Sequence, residues 1–286
     1  MGTAELLTQL HVPYRVITER QEEYSGLKVL FLNQALYLNE NECARIRQFV
    51  QEGGTLIATG ASSLYDVQGI TTGDFSLADV LGVHYSGENS PSITYTGDEL
   101  VSADGTVPLV TADADTQVKA ILTFPDFPVN DPEHYASIHS NPPGLEHSSS
   151  PAFTVHPYGR GKCVWLAAPL LRIRQYSQQE YLRRGLREFL PAFVETANLP
   201  GSAELTLLKA KGEAKYLLCL VNAQNELPVI PLHHVRLKMH WDIVPRAIHC
   251  LSSGKAVPFT QSDGMTEINL KQINEAEVLL VEAAGK

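Results

Sequence analysis

The sequence predicts an α/β fold over its first two thirds and a small antiparallel β-sandwich after it. Three observations carry this prediction. Residues 28–60 contain a buried strand, an amphipathic helix, a double-glycine turn and a second buried strand. Helix signals stop after residue 202. Beyond that point six or seven short apolar runs alternate with turn residues, which is typical of an antiparallel sandwich.

Composition and charge narrow the class of protein. The 286 residues can bury one large core or two ordinary ones. A net charge of −10 without a basic stripe argues against a nucleic-acid binder. No apolar run is long enough to cross a membrane, and residues 1–15 lack the apolar core of a signal peptide. The scattered cysteines predict reduced, buried thiols in a cytoplasmic protein, not a zinc site: Cys43, Cys163, Cys219 and Cys250.

The chain begins with a predicted helix over residues 3–10 and a short strand over 14–18. In the central unit, the apolar run at 29–32 predicts a strand buried on both faces. Residues 55–59 predict its parallel neighbour, reached through the intervening helix. Asn39, with Glu42 three residues later, predicts a capping box at the start of that helix.

Binding sites in open parallel sheets lie beyond the carboxyl ends of the strands. Neither strand of the central unit is followed by a phosphate-binding loop or a nucleophile elbow, so no nucleotide is expected. For Ser62 and Ser63 the main alternative to ligand binding is an ordinary structural role, as a helix cap or in a turn. The ligand-binding candidates at this edge are Asn33, Ser62, Ser63 and Asp66.

Residues 74–81 predict a short helix ending at Gly82, and residues 84–124 predict an irregular antiparallel insertion. The Pro-rich and polar stretch at 125–150 extends that insertion. Its histidine spacings match no metal motif, so a metal site is the weakest of three alternatives. The other two are a surface loop bonded to its own backbone and a loop lining a ligand or partner surface. This stretch adds three ligand-binding candidates, His139, Ser140 and Asn141.

Residues 152–171 return to the sheet pattern, with a tight turn and another buried strand. Residues 178–197 predict a long amphipathic helix that Pro191 kinks or splits. A linker at 198–202 follows. The predicted domains are therefore an α/β domain at 1–198, with a β-rich insertion at about 84–150, and a β-sandwich at 203–286.

Residues 27–66 resemble the β-galactosidase trimerisation domain, a class I glutamine-amidotransferase-like fold that follows the catalytic barrel of family 42-type glycoside hydrolases. Residues 135–144, 150–170 and 219–241 resemble the C-terminal part of a group of bacterial glycoside hydrolases with the same arrangement. The resemblance implies a flavodoxin-like parallel sheet with helices on both faces. It also implies a TIM-barrel glycosidase domain or further copies of the chain, a trimer among them, as partner.

The chain departs from the family's catalytic patterns. The barrel that carries a glycosidase's two carboxyl groups is absent, so no catalytic residue is nominated. The amidotransferase nucleophile is missing as well, because Cys43 lies in a predicted helix. The sequence opens at the domain's first helix, without the strand that usually precedes it. We therefore expect either a fragment of a longer enzyme or a free-standing relative.

Three functions compete. The first is a non-catalytic assembly module that also walls a neighbouring sugar site. The second is a carbohydrate-binding protein, with the candidate rings Tyr65, Tyr135, Tyr158, Trp165 and Trp241, of which Trp165 is expected in the core. The third is a hydrolase in which His134 or His139 pairs with Asp66. We favour the first function, the assembly module. We expect no catalytic activity in this chain alone. We also expect no cofactor, metal, nucleic acid or membrane as a partner.

Overall fold

The computed structural model describes residues 2–18, 24–91, 93–127, 133, 141–172, 175–224 and 228–284. Contacts divide the chain into two compact units. The first unit is Ile17–Phe189, and the second joins Thr3–Val16 to Leu190–Lys286. The domain boundaries predicted at residues 198 and 203 stay predictions.

The described residues contain four α-helices: α1 (Gly2–Gln9), α2 (Glu40–Gln51), α3 (Ala78–Leu81) and α4 (Tyr176–Leu186). The predicted end of α3 at Gly82 is confirmed, since this glycine has φ +66° and its N–H donates to the Ala78 carbonyl. Among the described residues no helix combines the length and the apolar character needed to cross a membrane.

Helix α2 confirms the predicted capping box. The Asn39 side chain accepts a hydrogen bond from the Glu42 N–H at 2.9 Å, and Glu42 Oε2 accepts one from the Asn39 N–H at 2.8 Å. The helix buries Cys43, Ile46 and Val50. Gly53 then takes a φ of +115°, a geometry that glycine adopts without strain at a helix end.

Replacing Asn39 with alanine is expected to lower the free energy of unfolding by about 1 kcal/mol, because the Glu42 N–H in the first turn loses its side-chain acceptor. Asn39→Asp is the matched control, since aspartate accepts the same hydrogen bond and should change stability little. Urea denaturation of the three proteins measures the difference. Equal midpoints for the alanine variant and the native chain would contradict this role of the cap.

The first unit is built around a seven-stranded sheet whose order is β1-β2-β9-β8-β7-β4-β5, while β3 and β6 form a separate pair. Strand β1 runs parallel to β2, and β2 runs parallel to β9. The other neighbours in the large sheet are antiparallel. The strands are β1 (Val29–Asn33), β2 (Thr55–Thr59), β3 (Val83–Asn89), β4 (Ile93–Thr96), β5 (Val101–Asp104), β6 (Pro108–Ala112), β7 (Gln117–Pro125), β8 (Pro143–Tyr158) and β9 (Gly161–Leu166).

This architecture corrects the predicted fold class. The chain is 45% strand and 16% helix, with a curled mixed sheet, so the flavodoxin-like and amidotransferase-like helix-flanked fold is wrong. The apolar runs of β2 and β9 are buried as predicted, but burial on both faces does not determine the direction of the next strand. Strand β1 lies at the edge of the sheet and alternates half-buried and buried residues, so the prediction that it is buried on both faces is wrong. Strand β9 has parallel β2 on one side and antiparallel β8 on the other. The region interpreted as an insertion supplies β4, β5 and β7 to the same sheet.

The second unit consists of two four-stranded antiparallel sheets, ordered β10-β13-β16-β15 and β11-β12-β17-β14. The two sheets share one hydrophobic core, to which Leu218, Leu237 and Trp241 belong. The N-terminal segment joins this unit through His11, whose Nε2 lies 3.0 Å from the Ala203 carbonyl oxygen. The strands are β10 (Val194–Ala197), β11 (Ala203–Lys209), β12 (Lys215–Asn222), β13 (Leu232–His240), β14 (Pro245–Cys250), β15 (Phe259–Ser262), β16 (Met265–Ile273) and β17 (Ala276–Ala283).

Two local predictions are wrong. Residues 14–18 form no strand. The helix predicted over residues 178–197 ends at Leu186 and is followed by a 3-10 turn, Arg187–Phe189. Strand β10 then pairs with β13. Pro191 cannot continue a helix, because it lacks the N–H and its ring meets the preceding turn. The apolar residues that had suggested a helical stripe include Phe193, which packs against the core of the second unit.

Candidate functional site

The carboxyl ends of β1 and β2 lie side by side, because the strands are parallel and Asn33 is in register with Thr59. Asn33 Oδ1 accepts a hydrogen bond from Thr59 Oγ1 at 3.2 Å. The same Oγ1 accepts the Gln34 N–H at 3.1 Å. The predicted candidates Asn33, Ser62, Ser63 and Asp66 thus belong to one edge of the sheet, which we call the rim.

Ser62 and Ser63 are fully buried at the rim. Ser62 Oγ lies 2.8 Å from the Thr59 carbonyl oxygen and accepts the Ala35 N–H at 3.2 Å. Ser63 has a φ of +66°, and its Oγ accepts the Leu77 N–H at 3.3 Å. Both hydroxyls therefore serve loop backbone that would otherwise be buried without partners. Their assignment as ligand-binding residues stays a prediction.

Asp66 closes a small turn beside the buried serines. Its Oδ1 accepts the Gln68 N–H at 2.9 Å and the Ile70 N–H at 2.8 Å. The Asp66 N–H donates to the Ile70 carbonyl at 2.8 Å, and Tyr65 forms a bridge to Thr71. This is the turn geometry that aspartate side chains favour. Ligand binding by Asp66, as by Asn33, also stays a prediction.

Four apolar side chains stand out from the two rim loops, and we call them the rim patch. Leu36 and Tyr37 are each 46% exposed, while Val67 and Ile70 are 69% and 64% exposed. A hydrogen bond of 3.0 Å from the Tyr65 N–H to the Leu36 carbonyl ties one loop to the other. Sequence reasoning missed this surface. The sequence signal that could have indicated it is the occurrence of these apolar residues in loops, outside any strand or helix pattern.

The remaining candidates come from the stretch at residues 125–150. Residues 128–132 and 134–140 lie outside the described residues, His134, Tyr135, His139 and Ser140 included. Asn141 is described and buried. Its Nδ2 donates to the Phe127 carbonyl at 2.9 Å, and its own carbonyl accepts a hydrogen bond from the Tyr95 hydroxyl. Asn141 therefore anchors the end of this stretch to the sheet.

Two of the buried thiols, Cys43 and Cys163, are not activated as nucleophiles. Burial raises the pKa of Cys163, and burial also raises that of Cys43, where the nearby Glu42 adds to the effect and Arg47 opposes it. Both groups are therefore protonated at neutral pH, whereas the nucleophilic form of cysteine is the thiolate. The burial and raised pKa of Cys43 agree with the expectation that it cannot act as a glutaminase nucleophile.

A second polar cluster joins α2, α3 and β8. Arg47 Nε and Nη2 donate to the two oxygens of Asp79 at 2.8 and 2.9 Å, and Nη2 donates to the Ser76 carbonyl at 2.6 Å. The Tyr158 hydroxyl donates to Asp79 Oδ2 at 3.2 Å. Burial alone would raise the pKa of Asp79, but the hydrogen bonds and charge of Arg47 outweigh it and hold that pKa below 3.8.

The stability that Asp79 contributes is expected to depend on pH. Its carboxyl pKa is lower in the folded chain than in the unfolded chain, so the contribution is complete above about pH 5 and is lost as the pH falls through the folded value. Asp79→Asn should cost about 1 kcal/mol at pH 7, a modest amount because the pair is partly exposed. Urea denaturation should show the difference from the native chain narrowing between pH 5 and pH 3. A difference that stays constant over this range would contradict the assignment.

Most of the chain resembles a known family in sequence. Residues 5–199 match the family described as the β-galactosidase trimerisation domain. No curated protein sequence matches the chain. The resemblance inferred from residues 27–66 is therefore confirmed over a longer stretch.

The fold also resembles solved structures, all at low sequence identity. α-L-fucosidase isoenzyme 2 from Paenibacillus thiaminolyticus superimposes with a TM-score of 0.77 at 18% identity, over 99% of this chain and 45% of that one. The β-galactosidase from Bacillus circulans sp. alkalophilus gives 0.62 at 15% identity, over 98% and 36%. The β-galactosidase from the haloarchaeon Halorubrum lacusprofundi gives 0.56 at 11%, over 99% and 35%.

The chain thus spans less than half the length of these solved proteins. At such identities the superpositions show the fold alone, whereas the sequence match covers more than half of the chain. The chain belongs to the β-galactosidase trimerisation domain family.

Proposed function

We propose that the chain is a non-catalytic accessory region of a glycoside hydrolase-like protein and that it brings copies of that protein together. The observation that carries the proposal is the match of residues 5–199 to a family described by its role in trimerisation. The serines and thiols described above serve packing and backbone bonding, which is compatible with a structural role. A trimer is the assembly we propose for this chain.

The rim patch supports a contact between copies. Its four apolar side chains lie on loops that buried hydrogen bonds hold in place. Their exposure to solvent is therefore a feature of ordered loops. Exposed apolar side chains on loops that are held in place are typical of protein interfaces. We assign the rim patch to the interface between one copy and the next.

A catalytic glycosidase region is the second partner we propose. The three solved proteins named above are a fucosidase and two β-galactosidases, each more than twice as long as this chain. Part of the extra length would hold the barrel with the two carboxyl groups, and this chain would wall one side of its sugar site. A cytoplasmic location stays a prediction.

Carbohydrate binding by the chain alone has less support. Trp165 is fully buried, as expected, and its indole N–H donates to the Gly60 carbonyl at 3.1 Å. Trp241 is buried as well, and its N–H donates to Thr266 Oγ1 at 3.0 Å. Neither ring can stack on a sugar unless the hydrophobic core that buries it opens. Calorimetry with galactosides and fucosides separates the alternatives, because binding heat would favour a carbohydrate site on this chain.

Light scattering on the purified chain tests the assembly proposal. We expect a mass near three times 31.4 kDa, with dissociation on dilution, since association depends on protomer concentration. A strict monomer at every concentration, which also fails to bind a family 42-type barrel added in trans, would overturn the proposal.

A further inference from the structure

We propose that Asp113, Asp115 and His156 bind a divalent transition-metal cation of the zinc class. Asp113 and Asp115 lie in the turn between β6 and β7, and His156 lies on β8. One oxygen of each carboxylate and one ring nitrogen of the histidine lie within 4.8 Å of one another. Two carboxylates and an imidazole make a three-ligand set that leaves further positions for water.

Backbone contacts hold the three side chains together before any metal binds. The Gly82 carbonyl accepts the Asp113 N–H at 3.0 Å and the Thr116 hydroxyl at 2.8 Å. A Cβ on Gly82 would lie 2.3 Å from both His156 Cγ and Thr116 Oγ1, so the imidazole packs directly on this glycine. The turn that carries both carboxylates is thereby fixed beside the histidine.

Excess negative charge at this place favours a cation. His84 bridges two carboxylates, with Nδ1 2.6 Å from Asp74 Oδ2 and Nε2 3.1 Å from Asp113 Oδ1. Within the described part of the chain, the ion pairs of Asp113 and Asp115 are to imidazoles, not to lysine or arginine. A divalent ion beside Asp113 and Asp115 would offset the negative charge of these carboxylates.

The histidine selects the class of ion. His156 Nδ1 lies 2.9 Å from Thr116 Oγ1 and 3.6 Å from Asp115 Oδ1. Because the Thr116 hydroxyl donates to Gly82, it accepts the hydrogen of Nδ1. Coordination through Nδ1, the nitrogen nearer Asp115, needs this hydrogen on Nε2 instead, a tautomer change that keeps the ring neutral but gives up the hydrogen bond to Thr116. An imidazole ligand suits zinc and its neighbours, while magnesium and calcium prefer sets made only of oxygen.

The spacing of the ligand atoms is compatible with a bound ion. Metal–ligand distances of about 2.0–2.2 Å place tetrahedral ligands about 3.5 Å apart, and His156 Nδ1 already lies 3.6 Å from Asp115 Oδ1. Asp115 can supply small adjustments, since its side chain is 68% exposed, whereas that of His156 is 7% exposed. The bound ion would link the β6–β7 turn to β8 and so tie the β3–β6 pair to the large sheet.

The test uses the full chain after treatment with a chelator. Titration calorimetry with zinc chloride should show one zinc per chain, with magnesium chloride at least a hundredfold weaker. Asp115→Asn, an exposed change that spares the fold, should weaken zinc binding tenfold or more. Asp104→Asn is the matched control, because Asp104 is an exposed aspartate at the end of β5, and zinc affinity should not change.

Thermal melting supplies a second readout. Zinc at a hundred times its dissociation constant should raise the melting temperature of the native chain by roughly 4–8 °C, and that of Asp115→Asn by much less. The absence of stoichiometric zinc binding would overturn the proposal. So would an Asp115→Asn chain that binds zinc with native affinity, because the ion would then be held by other side chains.

Discussion

Replacing Trp165 with alanine is expected to lower the free energy of unfolding by about 3–5 kcal/mol, the largest effect of any single change considered. Trp165 lies on β9 in the middle of the large sheet and is fully buried. Its ring packs edge-on against Phe75, with the centroids 6.2 Å apart. The alanine would leave a cavity that the surrounding strands cannot close, since they are held in register on both sides.

The Trp165→Phe variant separates packing from hydrogen bonding. Phenylalanine keeps most of the apolar volume but leaves the Gly60 carbonyl without the indole N–H, which should cost about 1–3 kcal/mol. Leu251→Ala is the control, because Leu251 is half exposed in a turn and its truncation should change stability by less than about 0.5 kcal/mol. Urea denaturation followed by fluorescence and circular dichroism measures all three. A Trp165→Ala chain as stable as the control would show that the sheet centre repacks freely.

The double variant Val67→Asp with Ile70→Asp is expected to convert the proposed trimer to monomers. Each substitution places a carboxylate where an apolar side chain would be buried between copies, and burying an unpaired charge is costly. The dissociation constant should rise at least about a hundredfold, which corresponds to roughly 3 kcal/mol. The monomer fold should be unchanged, because both native side chains are mostly solvent-exposed in the isolated chain.

A matched control introduces the same charges elsewhere. Val244 and Leu251 are 58% and 51% exposed apolar residues in the second unit, so Val244→Asp with Leu251→Asp changes net charge equally without touching the rim patch. Sedimentation velocity should show native mass for this control and monomer mass for the rim variant. If the rim variant keeps the native mass, the rim patch is not the interface. If the control also dissociates, net charge is the cause.

The central unit was predictable because its signals are local. The strand, capped helix, glycine turn and second strand at residues 28–60 each depend on neighbours a few positions away, and β1, α2 and β2 confirm them. The parallel pairing of β1 with β2 follows from the short connection through α2. The core position of Trp165 was predictable for the same reason, since consecutive residues of its strand are apolar.

The pairing partners of the later strands were not predictable in this way. Strand β9 carries the same apolar pattern whether its neighbour is parallel or antiparallel, and the two cases differ only in backbone hydrogen bonding. Strand β8 extends over Pro143–Tyr158 and joins the parallel part of the sheet to β7. That connection turned an expected insertion into part of the main sheet.

The proposed metal site and the rim patch differ from the ligand site predicted at the strand ends, and the reason is related. Asp113 and Asp115 form a short acidic motif that the sequence displays, but His156 is about forty residues away and His84 about thirty. Only the pairing of β7 with β8 and of β3 with β6 brings them together. The rim was predicted from strand ends, yet its serines point inward and its apolar loop residues point outward.

By itself, the sequence determined the family, the central strand–helix–strand unit, the capping box and the buried positions of the apolar runs, because these depend on residue type and short-range spacing. The tertiary structure alone decided the mixed sheet in place of the predicted parallel one, the replacement of a helix by β10, and the grouping of Asp113, Asp115 and His156. Strand direction and long-range contacts are set by backbone hydrogen bonds between segments far apart in the chain. The free energy of those pairings belongs to the assembled fold and leaves no periodic signal in any one segment.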